Sequence, residues 1–326
     1  MRRSLTMLAL VGACGFSVRT GELDACTTTR PWWDARWAHR FAIDTAGAPA
    51  SYPARFDASA ALALSAVGGD DVRVIVDTAS GARELDRVLD GSFVETRLPT
   101  AGTLWLYTTN PAAGLPPADP EAVYTWSESF ETLALGDNGS ARFDAQPTTD
   151  WRVVDDGGNR IYRVTGASRH PAPIVGLALA DAEVRARLRV GPGGGQNHNG
   201  LLARASNTVP TTLDGYVGQM LEDVNYVRIA EYIDGISPPV ERARFDRAVD
   251  RTTWYAMRMW VAGGVIELHI DGVLAARTPL ATSNGSLLGL FAHDTDVDYD
   301  DVRVRAIVDP EPAIALGALE DVPPCE

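Results

Sequence analysis

Apolar residues along this chain come in short runs of alternating polarity, separated by Gly, Pro, Asp and Ser. Between residues 32 and 110 such runs occupy 40–44, 72–76, 93–98 and 104–107. A side-chain period of two, bounded by turn residues, is the signature of a half-buried strand. Only the Ala-rich stretch 58–66 reads as a helical turn. From 124 to 307 the pattern recurs at 182–190, 200–205, 215–221, 226–233, 254–261, 265–270, 287–291 and 302–307, with no helical period sustained over three turns. Regularly spaced strands without helices predict antiparallel sandwiches, so the expected fold class is all-β. Residues 111–120 hold four prolines and no aromatic residue, which reads as an extended connector. The expected organisation is a small β-domain over 27–112, a linker over 113–122, a larger sandwich over 123–308 and a tail over 309–326.

One hairpin can be registered from the pattern alone. Gly263-Gly264 suits a two-residue turn. It pairs Trp260 with Glu267, Met259 with Leu268, Arg258 with His269 and Met257 with Ile270. Met257, Met259, Leu268 and Ile270 then face one way, and Arg258, Trp260, Glu267 and His269 the other. A slip of one residue would scramble both faces. Trp254, at the start of the same strand, is assigned to the core.

Length, charge and cysteines narrow the function classes. The 326 residues exceed one ordinary core and suit two domains. A net charge of −14 repels phosphate backbones, which argues against nucleic acid as partner. All 29 basic residues are Arg, either through genome composition or through selection for planar bidentate contacts. Arg2 and Arg3 precede a short apolar run, 5–13, which as a helix rises only about 14 Å and cannot span a bilayer. The run ends in Val11-Gly12-Ala13-Cys14, which resembles a bacterial lipobox. That resemblance implies a signal peptide over 1–14 and lipidation at Cys14. It predicts an outer-membrane or cell-surface lipoprotein that meets the membrane only through its anchor, with ordinary secretion as the alternative. Cys26 and Cys325 then remain, and in an oxidising compartment an even pair suggests a disulfide, against two free thiols.

Two resemblances follow from particular residues. Trp32-Trp33-Asp34-Ala35-Arg36-Trp37-Ala38-His39-Arg40 and the ending Leu104-Trp105-Leu106-Tyr107-Thr108-Thr109-Asn110-Pro111 are similar to a small β-domain of unknown function found in bacterial surface proteins. Thr108 and Thr109 depart from its usual spacing. Ser129-Phe130-Glu131, 200–205, Trp254-Tyr255, Ile270-Asp271-Gly272, Gly289-Leu290 and 299–304 resemble concanavalin-A-like or laminin-G-like jelly rolls. Together these imply a small N-terminal β-sandwich followed by a concanavalin-A-like jelly roll. That superfamily holds both lectin-like modules and glycoside hydrolases, so fold leaves activity open.

The candidate chemistry is sparse. Asp294, Asp296, Asp298 and Asp300 would share one face of an extended strand, a repulsive array that an oxygen-seeking cation such as Ca²⁺ would relieve. The jelly-roll resemblance implies a structural Ca²⁺ with Glu131, Asp298 and Asp300 as ligands. The alternative is a solvated acidic loop paired with Arg303 or Arg305. The face carrying Arg258, Trp260, Glu267 and His269 combines a flat aromatic with hydrogen-bonding groups, as a sugar site requires. Arg204, Gln219, Tyr226, Arg228 and Glu231 are expected to extend it. The Gly-rich loop 191–200 is an ordinary turn or brings His198 and Asn199 to a ligand. No Glu-x-Asp-x-x-Glu, Gly-x-Ser-x-Gly or His-Glu-x-x-His motif is present. The resulting expectation is a non-catalytic surface protein that binds a glycan or another surface protein. A diverged glycan-processing hydrolase and a structural envelope spacer stand as alternatives.

Overall fold

The computed structural model describes residues 32–166, 169–191, 198–294 and 296–323. Cys14, Cys26 and Cys325, and with them the expected lipid anchor and disulfide, lie outside the described residues. The small domain is built from β1 (His39–Asp44), β2 (Pro53–Asp57), the helical turn α1 (Ser59–Ala63), β3 (Arg73–Thr78), β4 (Gly81–Leu85), β5 (Arg87–Asp90), β6 (Phe93–Arg97) and β7 (Thr103–Thr108). Strands β1, β7, β3 and β4 form one antiparallel sheet, and β2, β6 and β5 another. Period-two alternation sends Phe41, Ile43, Val74, Val76, Leu104 and Leu106 inward against Ala54, Phe56 and Val94. The opposite parity, including Ile75, Trp105 and Tyr107, forms a separate aromatic cluster with Trp37 on the outside of the larger sheet.

The proline-rich connector is fastened down, not free. Arg87 N donates to the Pro117 carbonyl at 3.1 Å, and Asp119 N to Asp86 Oδ1 at 2.9 Å. Asp119 then caps the short helix α2 (Pro120–Val123) by accepting from Glu121 N.

The second domain comprises β8 (Trp126–Glu128), β9 (Trp151–Asp156), β10 (Asn159–Val164), β11 (Arg169–Ala178), β12 (Ala182–Val190), β13 (His198–Asn207), β14 (Asp214–Leu221), β15 (Tyr226–Tyr232), β16 (Val240–Asp246), β17 (Tyr255–Ala262), β18 (Val265–Ile270), β19 (Val273–Pro279), β20 (Leu287–His293) and β21 (Val297–Ala306). One sheet runs β19-β18-β17-β12-β21-β10-β9, with β8 also on β21; the other runs β11-β20-β13-β14-β15-β16. This two-layered antiparallel jelly roll is the sandwich expected from sequence. The β17–β18 register is the expected one, with Trp260 opposite Glu267 and Arg258 opposite His269. Met257, Met259, Leu268 and Ile270 are buried between the sheets. Pro171 and Pro173 sit on β11, an edge strand, where a missing N–H costs no ladder bond.

The segment expected to be a tail is not one. Residues 315–321 form β22 (Ala315–Asp321), which crosses back to pair with β1, His39 opposite Asp321 and Asp44 opposite Ala315. Ile314 and Leu316 pack on the small domain's core, so β22 covers an otherwise open sheet edge. Its weak alternation hides it in the sequence.

Candidate functional site

Strand β12 alternates apolar and charged residues throughout. Ala182, Val184, Ala186, Leu188 and Val190 enter the core, which leaves Glu183, Arg185, Arg187 and Arg189 on the outer face of the eight-stranded sheet. Cross-strand pairing sets Glu183 beside Trp260 and Arg305, and Arg185 beside Arg258 and Arg303. The small domain's three-stranded sheet lies against this face and contributes Arg55, Asp90, Phe93 and Glu95. The surface expected to be open is therefore half covered by the neighbouring domain.

Two buried carboxylates hold the junction together. Glu183 is fully buried; its Oε2 is 3.2 Å from both Arg258 Nη1 and Arg305 Nη2, and its Oε1 pairs with Arg185. Burial pushes its carboxyl up, but Arg185, Arg305, Arg258 and Arg55 outweigh that and hold it well below the usual carboxylate range. Glu95 of the small domain accepts from Arg185, from Arg55 at 3.0 Å and from the Tyr124 hydroxyl. Burial lowers the His269 ring, and Arg258 lowers it further against the pull of Glu267. Arg258 lies 3.0 Å from His269 Nδ1 and has only donors, so Nδ1 accepts. Nε2 then donates to Glu267 Oε2 at 3.0 Å.

Between the domains this framework leaves two adjoining cavities of about 510 and 450 Å³. Arg55, Phe93 and Arg258 line both, with the Arg55 guanidinium 3.6 Å from the Phe93 ring centroid. The larger adds Arg185, Arg187 and Asp271; the smaller adds Trp260, Glu267, Arg305 and Glu311. Trp260 is partly exposed, and its Nε1 approaches Glu311 Oε2 at 3.4 Å. Five arginines line the larger cavity, against three aspartates on its wall and the two buried glutamates beneath, so the cleft is polar but balanced in charge.

The remaining expected site residues lie elsewhere. Tyr226 and Arg228 are on β15 of the six-stranded sheet, so they cannot extend the Trp260 face as expected. There Arg228 Nε donates to Gln219 Oε1 at 2.8 Å, and Arg244 covers the Tyr226 ring at 3.8 Å. Arg204 is tied to Asp181 at 2.5 Å, and Glu231 is buried against Arg242 and the Ser283 amide. Sequence parity cannot show which sheet a strand joins, so it does not separate the two sets. His198 and Asn199 begin β13, while 192–197 lies outside the described residues. Burial, with Arg228 and His293 nearby, pushes the His198 ring down to about 3.

Asp298 and Asp300 do share a face, but arginines neutralise it. Asp298 accepts from Arg163 and Arg189, and Asp300 from Asn159 at 3.0 Å; Glu131 accepts from Arg160 N. Among the described residues no three His, Cys, Asp or Glu side chains converge to hold a metal, and Glu131, Asp298 and Asp300 each accept from nitrogen donors instead. Trp254 is not in the core; it lies under Arg187 and Arg189, at 5.1 and 4.7 Å.

No family model matches the chain, and no curated protein matches it. The structure is similar to a carbohydrate-binding module, CBM66, from Bacillus subtilis, with 14% identity and a TM-score of 0.42 over 48% of this chain and 91% of that one. It is also similar to the carbohydrate recognition domain of Emp46p in its potassium-bound form, with 11% identity and a TM-score of 0.40 over 54% and 95%. A third likeness is to the cellulose induced protein Cip1, with 13% identity and a TM-score of 0.39 over 56% and 97%. These likenesses are loose. The fold rests on the strand order above.

Sequence reasoning found Arg258, Trp260, Glu267 and His269 but missed Arg55, Phe93, Glu183 and Arg185. For β12 the signal was present, as four charged residues at a spacing of two among apolar ones. For Arg55 and Phe93 nothing in sequence indicates which face another domain will meet.

Proposed function

We propose that the interdomain cleft binds a segment of a neutral glycan, without catalysis, in an exported protein. One observation carries the reading: two adjoining cavities in which planar, pre-paired arginines alternate with carboxylates beside Phe93 and the partly exposed Trp260. Sugars offer hydroxyls that both donate and accept around apolar C–H faces, and such a wall meets both. The balanced charge favours a neutral ligand over an acidic one. The arginines are held in place by Glu183 and Glu95 before any ligand arrives, which limits the ordering cost of binding.

The test is a glycan array followed by calorimetric titration of residues 27–326. Phe93→Ala, at the partition between the cavities, is expected to weaken binding about tenfold, and Trp260→Ala is expected to weaken it as well. No glycan bound, or binding indifferent to both changes, would leave the cleft a structural junction.

A further inference from the structure

The aromatic cluster on the other side of the small domain encloses a cavity of its own. About 230 Å³ lies between the Trp32-Trp33 segment and the β3–β4 hairpin. Its floor is Ile75 and Trp105, a cross-strand pair of β3 and β7. Its wall is set by fixed contacts. Trp33 N donates to the Tyr107 hydroxyl at 3.0 Å, and Trp32 meets the Tyr107 ring edge-on at 5.4 Å. Trp32 is also pinned from behind, its Nε1 donating to the Trp37 carbonyl at 3.0 Å and its ring 4.3 Å from the Arg40 guanidinium. On the rim the hairpin carries Thr78 and the small residues Ala79, Gly81 and Ala82, and a Cβ added at Gly81 would meet open space. The Asp77 carboxylate, also on the rim, makes no hydrogen bond or salt bridge among the described residues, and its charge acts on the Tyr107 hydroxyl beside the cavity.

We propose that this cavity is a second binding site, for a single pyranose ring. Rigid indole walls match the apolar face of a sugar, and the unpaired carboxylate of Asp77 is placed to accept from its hydroxyls. The volume is below the roughly 300–1,000 Å³ of sites that take drug-sized ligands, which restricts the occupant to one ring. The site shares no residue with the interdomain cleft, so it stands or falls separately.

The experiment is saturation-transfer NMR on residues 27–326 with a panel of methyl pyranosides at millimolar concentration. Transfer to ring C–H protons of at least one glycoside is expected. Trp33→Ala should abolish it, and Asp77→Asn, a rim change that leaves the fold intact, should weaken affinity about tenfold. In a Phe93→Ala background, which removes the cleft's contribution, the losses caused by Trp33→Ala and Asp77→Asn should be the same. No transfer from any glycoside, or transfer that survives both Trp33→Ala and Asp77→Asn, overturns the proposal. Transfer lost only with Phe93→Ala assigns the binding to the cleft and equally overturns it.

Discussion

Replacing Glu183 by Gln removes the anion shared by Arg185, Arg258 and Arg305 while keeping its shape. At 3.2 Å and an effective dielectric of about 20, each of the Arg258 and Arg305 pairs contributes roughly 5 kcal/mol of attraction before desolvation. Desolvation of the buried ions cancels much of this, and removing one partner of such a set typically costs about 3–5 kcal/mol. At roughly 2–4 °C per kcal/mol for a domain of this size, the melting temperature should fall by about 6–20 °C. Calorimetry at neutral pH reads this directly. The sign with pH is fixed by the direction of the shift. A depressed carboxyl stabilises above its ordinary value of 4.5 and loses that contribution as pH falls through its lower folded value. The gap between wild type and variant should therefore shrink on acidification below about pH 4.5. A variant melting within a degree or two of wild type, or a gap that widens in acid, would refute the reasoning.

Further outcomes follow from other elements. Truncation after Ala313 removes β22 and should lower the small domain's stability by about 2–4 kcal/mol, measured by urea melts, through loss of Leu316 packing and of the β1 ladder. Gly200→Ala should prevent stable folding of the jelly roll, since its Cβ would lie 1.7 Å from the Gly218 carbonyl oxygen; an unaltered circular-dichroism melt would contradict this. His198 stays neutral in the fold down to about pH 3, whereas the unfolded ring binds a proton near 6.5. Between these values only the unfolded state takes up the proton, so the wild type loses stability as pH falls from 6.5 toward 3, and His198→Gln should gain about 1 kcal/mol over wild type near pH 5 in acid titrations of unfolding.

Much of the jelly roll was legible where strands such as β12 and β17 alternate core apolar residues with polar ones. The runs 182–190 and 265–270 coincide with β12 and β18, and the Gly263-Gly264 turn fixed the pairing of β17 with β18. β16 was missed because none of its residues is buried, so no alternation marks it. β11 was missed because two prolines within a strand argue against one, unless it lies at an edge. At the site, the sequence placed Arg258, Trp260, Glu267 and His269 on one face, and the structure keeps them there. What it could not supply was the partner of that face. The side chains of β2 and β6 that close the cleft belong to a different domain, and their docking depends on three-dimensional placement that no local period encodes.

The return of β22 to β1 means the jelly roll is, in topological terms, an insertion between β7 and β22, the last two strands in sequence of the small domain's larger hydrogen-bonded layer. During synthesis that layer waits for nearly the whole polypeptide before its border can close, whereas the inserted sandwich has every strand it needs earlier.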